Sequence, residues 1–176
     1  MRFKPSETAG GVTVELGPGE AQFPPIPLPD VHLKKILVPI DFSECSSKAV
    51  AYAAALAKQF HASVHLLHVQ TPPTPIPAVM DFPVAPESRK EAQEKLQKLA
   101  RSVDPGITGQ TTVLIGVPED EILSAIEDNN IDLVIFGTHG RTGLQHWLHG
   151  SVTERVLRRA TCPVLIVRQE EHDFVG

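Results

Sequence analysis

The chain has 176 residues, of which 41% are hydrophobic and 21% are charged, and its formal net charge is −5. This length predicts one domain with room for a tail, and the negative charge disfavours a nucleic-acid-binding surface. No apolar run approaches the roughly 20 residues of a membrane helix, and no signal-peptide core is recognisable, so we expect a cytoplasmic protein without membrane contact.

The first 33 residues are rich in proline and glycine, with no sustained helical or strand period. This composition predicts a flexible or extended N-terminal tail. Within it, residues 11–16 alternate like a strand, which leaves open that they add to a sheet edge. The folded domain is predicted over residues 34–168, followed by a short C-terminal tail over residues 169–176.

Short apolar runs alternate with amphipathic segments through the predicted domain. The predicted strands are residues 36–40, 63–69, 111–115, 132–136 and 164–167. The predicted helices are residues 44–60 after an N-cap at Ser43, 87–103, 118–129 beginning at Pro118, and a segment from Ser151 to about Ala160. The prolines of residues 71–86 predict a long surface loop. The alternation predicts an α/β fold, with helices on both faces of an open parallel sheet.

The glycine-rich segment 137–143 follows the fourth predicted strand and favours an anion-binding loop. Glycine permits positive φ and lets backbone amides approach a ligand closely. Ser151 and Glu154 form a capping-box pattern at the next helix start, whose N–H groups also favour an anion. We expect both elements to converge on a polyphosphate, with Arg141 and the Thr153 hydroxyl as supplements. Alternatively, the glycines make only a tight turn.

The spacing Gly137-x2-Gly140-x9-Gly150-Ser151 resembles the ATP-binding pattern of the universal stress protein family. Segments 36–43, 67–69, 116–118 and 161–167 are also similar to that family, so the resemblance covers about residues 34–168. It implies a Rossmann-like, five-stranded parallel sheet of order 3-2-1-4-5.

The resemblance also implies an adenine nucleotide, ATP or else ADP or AMP, with or without Mg²⁺. It implies that Asp41 and Val69 face the ribose and the adenine, and that the region from Gly137 to Thr153 contacts the phosphates. The full set of implied binding residues is Pro39, Ile40, Asp41, Val69, Gly116, Gly137, Thr138, Gly140, Arg141, Gly150, Ser151, Val152 and Thr153. Asp41 could bond ribose hydroxyls or help to hold Mg²⁺, or equally cap the following helix together with Ser43.

A homodimer is the second implication of the resemblance, formed by antiparallel pairing of the last strands. The strand Val164, Leu165, Ile166 and Val167 is apolar and lies at a predicted sheet edge, where unpaired backbone groups invite another strand. The alternative is an edge covered by the N-terminal tail.

The histidines and cysteines have simpler explanations than metal or thiol chemistry. His139, His146 and His149 gather near the loop, but no clear further metal ligand accompanies them. His65 and His68 are three residues apart in a strand and therefore point to opposite faces, which predicts structural roles. Two cysteines are too few for a disulfide framework. The helix dipole could lower the pKa of Cys45, although a buried, unreactive thiol is the commoner case.

The predicted function is binding of an adenine nucleotide by a homodimeric stress-response or regulatory protein. No residue is an obvious general base beside the phosphates, with Asp41 and His139 the only candidates, so no catalytic residue is assigned. Slow ATP hydrolysis or phosphoryl transfer is one alternative. A dimeric interaction module without nucleotide is the other.

Overall fold

The computed structural model describes residues 2–5, 12–15, 30–72, 88–103, 106–138 and 152–169. The chain divides into two compact units, residues 1–31 and residues 32–176. In the first unit, β1 (Arg2–Pro5) pairs antiparallel with β2 (Val12–Glu15). β2 lies within residues 11–16, whose alternation leaves a strand open, whereas β1 falls where no regular structure is expected. The four residues of β1 give little periodic signal, and the pairing of β1 with β2 depends on backbone hydrogen bonds that composition does not reveal.

The second unit is built on a five-stranded parallel sheet. Its strands are β3 (Lys35–Pro39), β4 (Ser63–Gln70), β5 (Thr108–Ile115), β6 (Leu133–Thr138) and β7 (Val164–Arg168). Their spatial order is β5-β4-β3-β6-β7, and every neighbouring pair is parallel. Counted along this unit, the order is 3-2-1-4-5, so the predicted fold class is confirmed. Two strand boundaries differ from the prediction by more than one residue: β5 begins at Thr108 instead of Thr111, and β6 continues to Thr138 instead of ending at Phe136.

Four helices connect the strands, and their ends follow local sequence signals. They are α1 (Glu44–Phe60), α2 (Arg89–Ser102), α3 (Pro118–Asn129) and α4 (Val152–Arg159). The Ser43 side chain accepts a hydrogen bond from the Ser46 N–H at 3.1 Å, which confirms the predicted N-cap of α1. Ser88 and Glu91 form a capping box at the start of α2. The predicted proline-rich loop and the predicted cap at Ser151 lie outside the described residues.

The core forms two layers, one on each face of the sheet. Ile36 and Val38 of β3 pack in the layer covered by α1 and α2, whereas Leu37, between them, packs in the layer covered by α3 and α4. This division follows from the two-residue period of a strand, and it explains why β3 is apolar throughout. Within the described part of the chain, no helix is long and apolar enough to cross a membrane.

This topology determines where a ligand site can form. In a parallel sheet the helix after a strand begins near the carboxyl end of that strand. The starts of α1, α3 and α4 therefore lie together beyond the carboxyl ends of the strands. β3 has β4 on one side and β6 on the other, so the crossovers leave it in opposite directions. Open α/β sheets bind ligands at such a switch point.

Candidate functional site

A cavity of about 230 Å³ opens at the carboxyl ends of β3, β4 and β6. The strand ends contribute residues 39–41, 67–69 and 136–137 to its wall, and the helices contribute Ser46, Pro118, Ile122, Val152 and Thr153. The wall therefore combines backbone and side chains from six elements. Its location is the one expected from the sheet topology.

Seven residues predicted from separate parts of the sequence meet in this cavity. They are Pro39, Ile40, Asp41, Val69, Gly137, Val152 and Thr153. Two others do not line it: Gly116 lies at the end of β5, where its N–H donates to the Gln70 carbonyl at 3.0 Å, and Thr138 is buried at the end of β6. No described residue gives the Thr138 Oγ1 a hydrogen-bond partner. Gly140, Arg141, Gly150 and Ser151 lie outside the described residues.

Asp41 lies two residues after the end of β3 and supplies a carboxylate to the cavity wall. Its Oδ1 accepts a hydrogen bond from the Ser43 N–H at 3.0 Å. Partial burial acts to raise the pKa of Asp41, but hydrogen bonds from Ser43 and Ser46 outweigh it and leave the pKa below its ordinary value. The carboxylate is therefore ionised at neutral pH. Ser43 is the N-cap of α1 and its N–H is bonded by Asp41, so the structure agrees with the alternative in which Asp41 caps this helix together with Ser43.

Gly137 is a glycine for a reason that the sequence did not reveal. A Cβ at this position would overlap the carbonyl oxygen of Cys45 in the first turn of α1. Gly137 belongs to β6 and does not have the positive φ that a glycine loop suggested. Its missing side chain lets the start of α1 lie against β6. The sequence predicts that this glycine lets the backbone approach a ligand closely, and the structure adds a role in packing α1 against β6.

Two ion pairs join the start of α3 to α4. Glu119 is buried and pairs with Arg155, while Asp120 pairs with Arg159 at 3.1 Å. Because Pro118 and Val152 both line the cavity, these pairs connect two parts of its wall. The acidic first turn of α3 suits the positive end of the helix dipole, and it has a second role in anchoring α4.

The strand histidines have separate hydrogen-bond partners. His65 Nε2 lies 3.0 Å from Thr112 Oγ1, and burial lowers the pKa of this imidazole. His68 lies within 2.7 Å of the Ile40 carbonyl through its Nδ1. Among the described residues there is no group of three or more His, Cys, Asp or Glu side chains that could hold a metal ion. His139, His146 and His149 lie outside the described residues.

Cys45 is not activated by its place in the first turn of α1. It is 1% exposed. Burial raises the pKa of its thiol, and the charges of Asp41 and Glu44 raise it further. The suggestion that the helix dipole lowers this pKa is therefore wrong, because desolvation and two nearby acids oppose the dipole.

Six cavity residues were missing from the sequence-based set. They are Ser46, Leu67, His68, Pro118, Ile122 and Phe136. Most of them lie at a strand end or in the first turn of a helix, so the rule that ligands bind beyond the carboxyl ends of strands could have found them. His68 in particular was assigned a structural role although it is adjacent to Val69.

Residues 32–168 match the profile of the universal stress protein family, Usp. Universal stress protein MJ0531 of Methanocaldococcus jannaschii is 38% identical over 144 residues, which are 80% of this chain and 85% of the relative. Universal stress protein MJ0577 of the same organism is 31% identical over 158 residues, which are 80% of this chain and 98% of the relative.

Solved structures agree with this assignment. The structure of MJ0577 is similar with a TM-score of 0.61 and 28% identity, covering 81% of this chain and all of the other. A universal stress protein solved in complex with cAMP has a TM-score of 0.59 at 19% identity, which shows a common fold, and it covers 80% of this chain and all of the other. The chain belongs to the universal stress protein family.

Proposed function

We propose that this chain is a nucleotide-binding stress-response protein whose cavity at the ends of β3, β4 and β6 binds an adenine nucleotide. The observation that carries the proposal is the meeting of Asp41, Val69, Gly137 and Thr153, which come from four separate segments, around one cavity. ATP is the proposed ligand, with ADP and AMP as the alternatives within the same class.

The cavity has surfaces that suit the base and the sugar of a nucleotide. Val69, Ile122 and Phe136 provide apolar wall, which is the environment that a planar heterocycle prefers. The ionised carboxylate of Asp41 accepts hydrogen bonds, and charged acceptors make stronger bonds to hydroxyl groups than neutral ones do. We therefore place the ribose hydroxyls at Asp41 and the adenine beside Val69.

The first turn of α4 suits the phosphates. The opening N–H groups of a helix have no intrahelical partner, and the positive end of the helix dipole favours an anion. Val152 and Thr153 bring this turn to the cavity. The proposed phosphate contacts are completed by the Thr138 hydroxyl and by Gly140, Arg141, Gly150 and Ser151, on the strength of the family pattern, which also gives Gly116 as a binding residue.

Related structures agree with the adenine class of ligand. One universal stress protein was solved with cAMP, and one from Archaeoglobus fulgidus was solved with dAMP. In this chain Asp41 is the one carboxylate among the described residues that line the cavity. If Mg²⁺ accompanies the nucleotide, Asp41 and the phosphate oxygens are its proposed ligands.

Binding is proposed without turnover. Among the described cavity residues, Asp41 and His68 are the titratable ones, and each already has a hydrogen-bond partner within the turn after β3. These bonds disfavour either residue as a general base, and His139, the other candidate base, lies outside the described residues. The proposed role is therefore regulatory: the nucleotide stabilises one conformational state of the protein.

We also propose that the protein acts as a homodimer through the edge of β7 that faces away from β6. β7 pairs with β6 on one side, and no other described strand pairs with it. Val164, Leu165 and Ile166 are half-buried, so the edge is apolar. Sedimentation velocity should give the mass of a dimer, and a monomer at micromolar concentration would contradict the dimer without affecting the nucleotide site.

Isothermal titration with ATP, with and without Mg²⁺, tests the binding proposal. We expect saturable binding of one ATP per chain, weakened about tenfold by Asp41→Asn, because a charge-assisted hydrogen bond is lost. Asp128→Asn is the matched control, since Asp128 is an exposed acid in the last turn of α3 and does not line the cavity. Absence of affinity for ATP, ADP and AMP would contradict the proposal.

A further inference from the structure

We propose that His68 is a positioning residue of the nucleotide site, holding the turn after β3 that presents Asp41 to the cavity. The ligand part of this inference rests on the proposed function, whereas the turn itself is a property of the free protein. His68 acts through the two neighbours of Asp41 in the chain, Ile40 and Phe42.

Both backbone polar groups of Ile40 are held by β4. Its N–H donates to the Leu67 carbonyl at 2.8 Å, which continues the sheet beyond β3. Its carbonyl oxygen lies 2.7 Å from His68 Nδ1. A carbonyl only accepts hydrogen bonds, so Nδ1 must carry the hydrogen. The position of Ile40, and with it the start of the turn, depends on this imidazole.

The other side of the turn is Phe42, whose backbone adopts a left-handed conformation with φ of 62°. This conformation is unusual and strained for a bulky residue, and it persists only where surrounding contacts stabilise it. The Phe42 ring packs on the His68 ring with centroids 4.6 Å apart, and Lys95 Nζ lies 5.7 Å from the centre of the Phe42 ring. His68 thus contacts residues on both sides of Asp41.

A second possible role must be separated from this one, because His68 itself lines the cavity. Positioning uses Nδ1, which faces Ile40, whereas direct contact with a ligand would use Nε2. Asparagine can place its amide N–H close to the position of Nδ1, and glutamine can place its amide close to that of Nε2. The two substitutions therefore distinguish the two roles.

The experiment compares the affinities for ATP and 2′,3′-dideoxy-ATP in the wild type, His68→Asn and His68→Gln. The ratio of the two affinities reports the ribose hydroxyl contact of Asp41, and we expect about tenfold in the wild type. His68→Asn should keep most of that ratio, and His68→Gln should reduce it towards one. In the Asp41→Asn background, His68→Gln should cause little further loss, because the two substitutions remove the same contact.

Other patterns overturn the inference. If His68→Gln kept the affinity ratio and His68→Asn lost it, His68 would contact the ligand directly through Nε2. An affinity ratio that is unchanged in both variants would show that His68 has no role in the site. An equal decrease of the ratio in both variants, with both folded, would show that the hydrogen bond to the Ile40 carbonyl does not position Asp41.

The tautomer of His68 gives a test that needs no ligand and no substitution. Nitrogen-15 NMR of the ligand-free wild type at mildly alkaline pH should show the hydrogen on Nδ1, and a hydrogen on Nε2 would overturn the inference. If the wild type binds no ATP, the proposed function fails while this spectrum still decides the role of His68 in the turn. If neither variant folds, the wild-type spectrum still tests the inference.

Discussion

Gly137 of β6 lies against the backbone of α1 at Cys45. A Cβ at position 137 would overlap the Cys45 carbonyl oxygen and would lie 2.6 Å from the Ser46 nitrogen. Ser46 lines the cavity, so the absence of a side chain at Gly137 brings the start of α1 to the site. The first glycine of the family spacing therefore contributes to the site through packing.

Gly137→Ala should destabilise the protein even without ligand. The added methyl meets backbone atoms that cannot rotate away, and overpacking of this kind costs about 1–3 kcal/mol. Urea unfolding measures the loss. Gly109→Ala is the comparison, because a Cβ there would lie 3.1 Å from the Cβ of the exposed Ser63, which is a milder contact and should cost less. Equal losses in the two variants would contradict the packing role.

The stability supplied by Asp41 should depend on pH. Its pKa in the folded protein is lower than in the unfolded chain, so its contribution is present above the ordinary aspartate value of about 3.9 and is lost as the pH falls through the lower folded value. Urea unfolding of the wild type and of Asp41→Asn should therefore show a difference in unfolding free energy at neutral pH that shrinks below about pH 4. A difference that grows on acidification would have the wrong sign.

The two ion pairs between α3 and α4 should differ in importance. Arg155→Ala removes a partner of the buried Glu119 carboxylate and should lower the free energy of unfolding by about 1–3 kcal/mol. Arg159→Ala removes a partner of the exposed Asp120 and should cost about 0–1 kcal/mol. Chemical denaturation of both variants makes the comparison. A larger loss of unfolding free energy for Arg159→Ala than for Arg155→Ala would show that burial does not determine which ion pair stabilises the protein more.

The two thiols should differ in reactivity. Burial raises the pKa of both, but Cys45 is 1% exposed whereas Cys162 is half-buried. Alkylation with iodoacetamide at neutral pH, followed by peptide mass spectrometry, should modify Cys162 first. Cys45 should react mainly when the domain opens, since a thiol must be ionised and accessible. Faster modification of Cys45 in the native protein would contradict this assignment.

Much of the fold could be predicted because its signals are local. Residues 36–40 form an apolar run between a lysine and an aspartate, and Ser43 is a strong N-cap, so β3 and α1 were predicted within a residue of their observed ends. The start of β5 was missed because Gly109 and Gln110 are poor strand formers and their pairing with β4 overrides that preference.

The candidate site was harder to predict because it depends on contacts between distant residues. The glycine spacing identified Gly137 but not its contact with Cys45, which joins residues far apart in the chain. His68 was predicted to have a structural role, because a strand pattern indicates only which face of the sheet a side chain lies on. The pattern does not indicate that Ile40 and Phe42 contact His68. Positions follow from periodicity, whereas such roles follow from tertiary contacts.

Titration of the isotope-labelled protein with ATP, followed by amide NMR, tests the proposed site most directly. The amide shifts that change on binding should be those around the cavity, including Asp41, Val69, Gly137 and Thr153. Amides at the opposite end of the sheet, such as those of Lys35 and Gln110, should stay unchanged. An unchanged spectrum at saturating ATP, or changes confined to that opposite end, would contradict the placement of a nucleotide in this cavity.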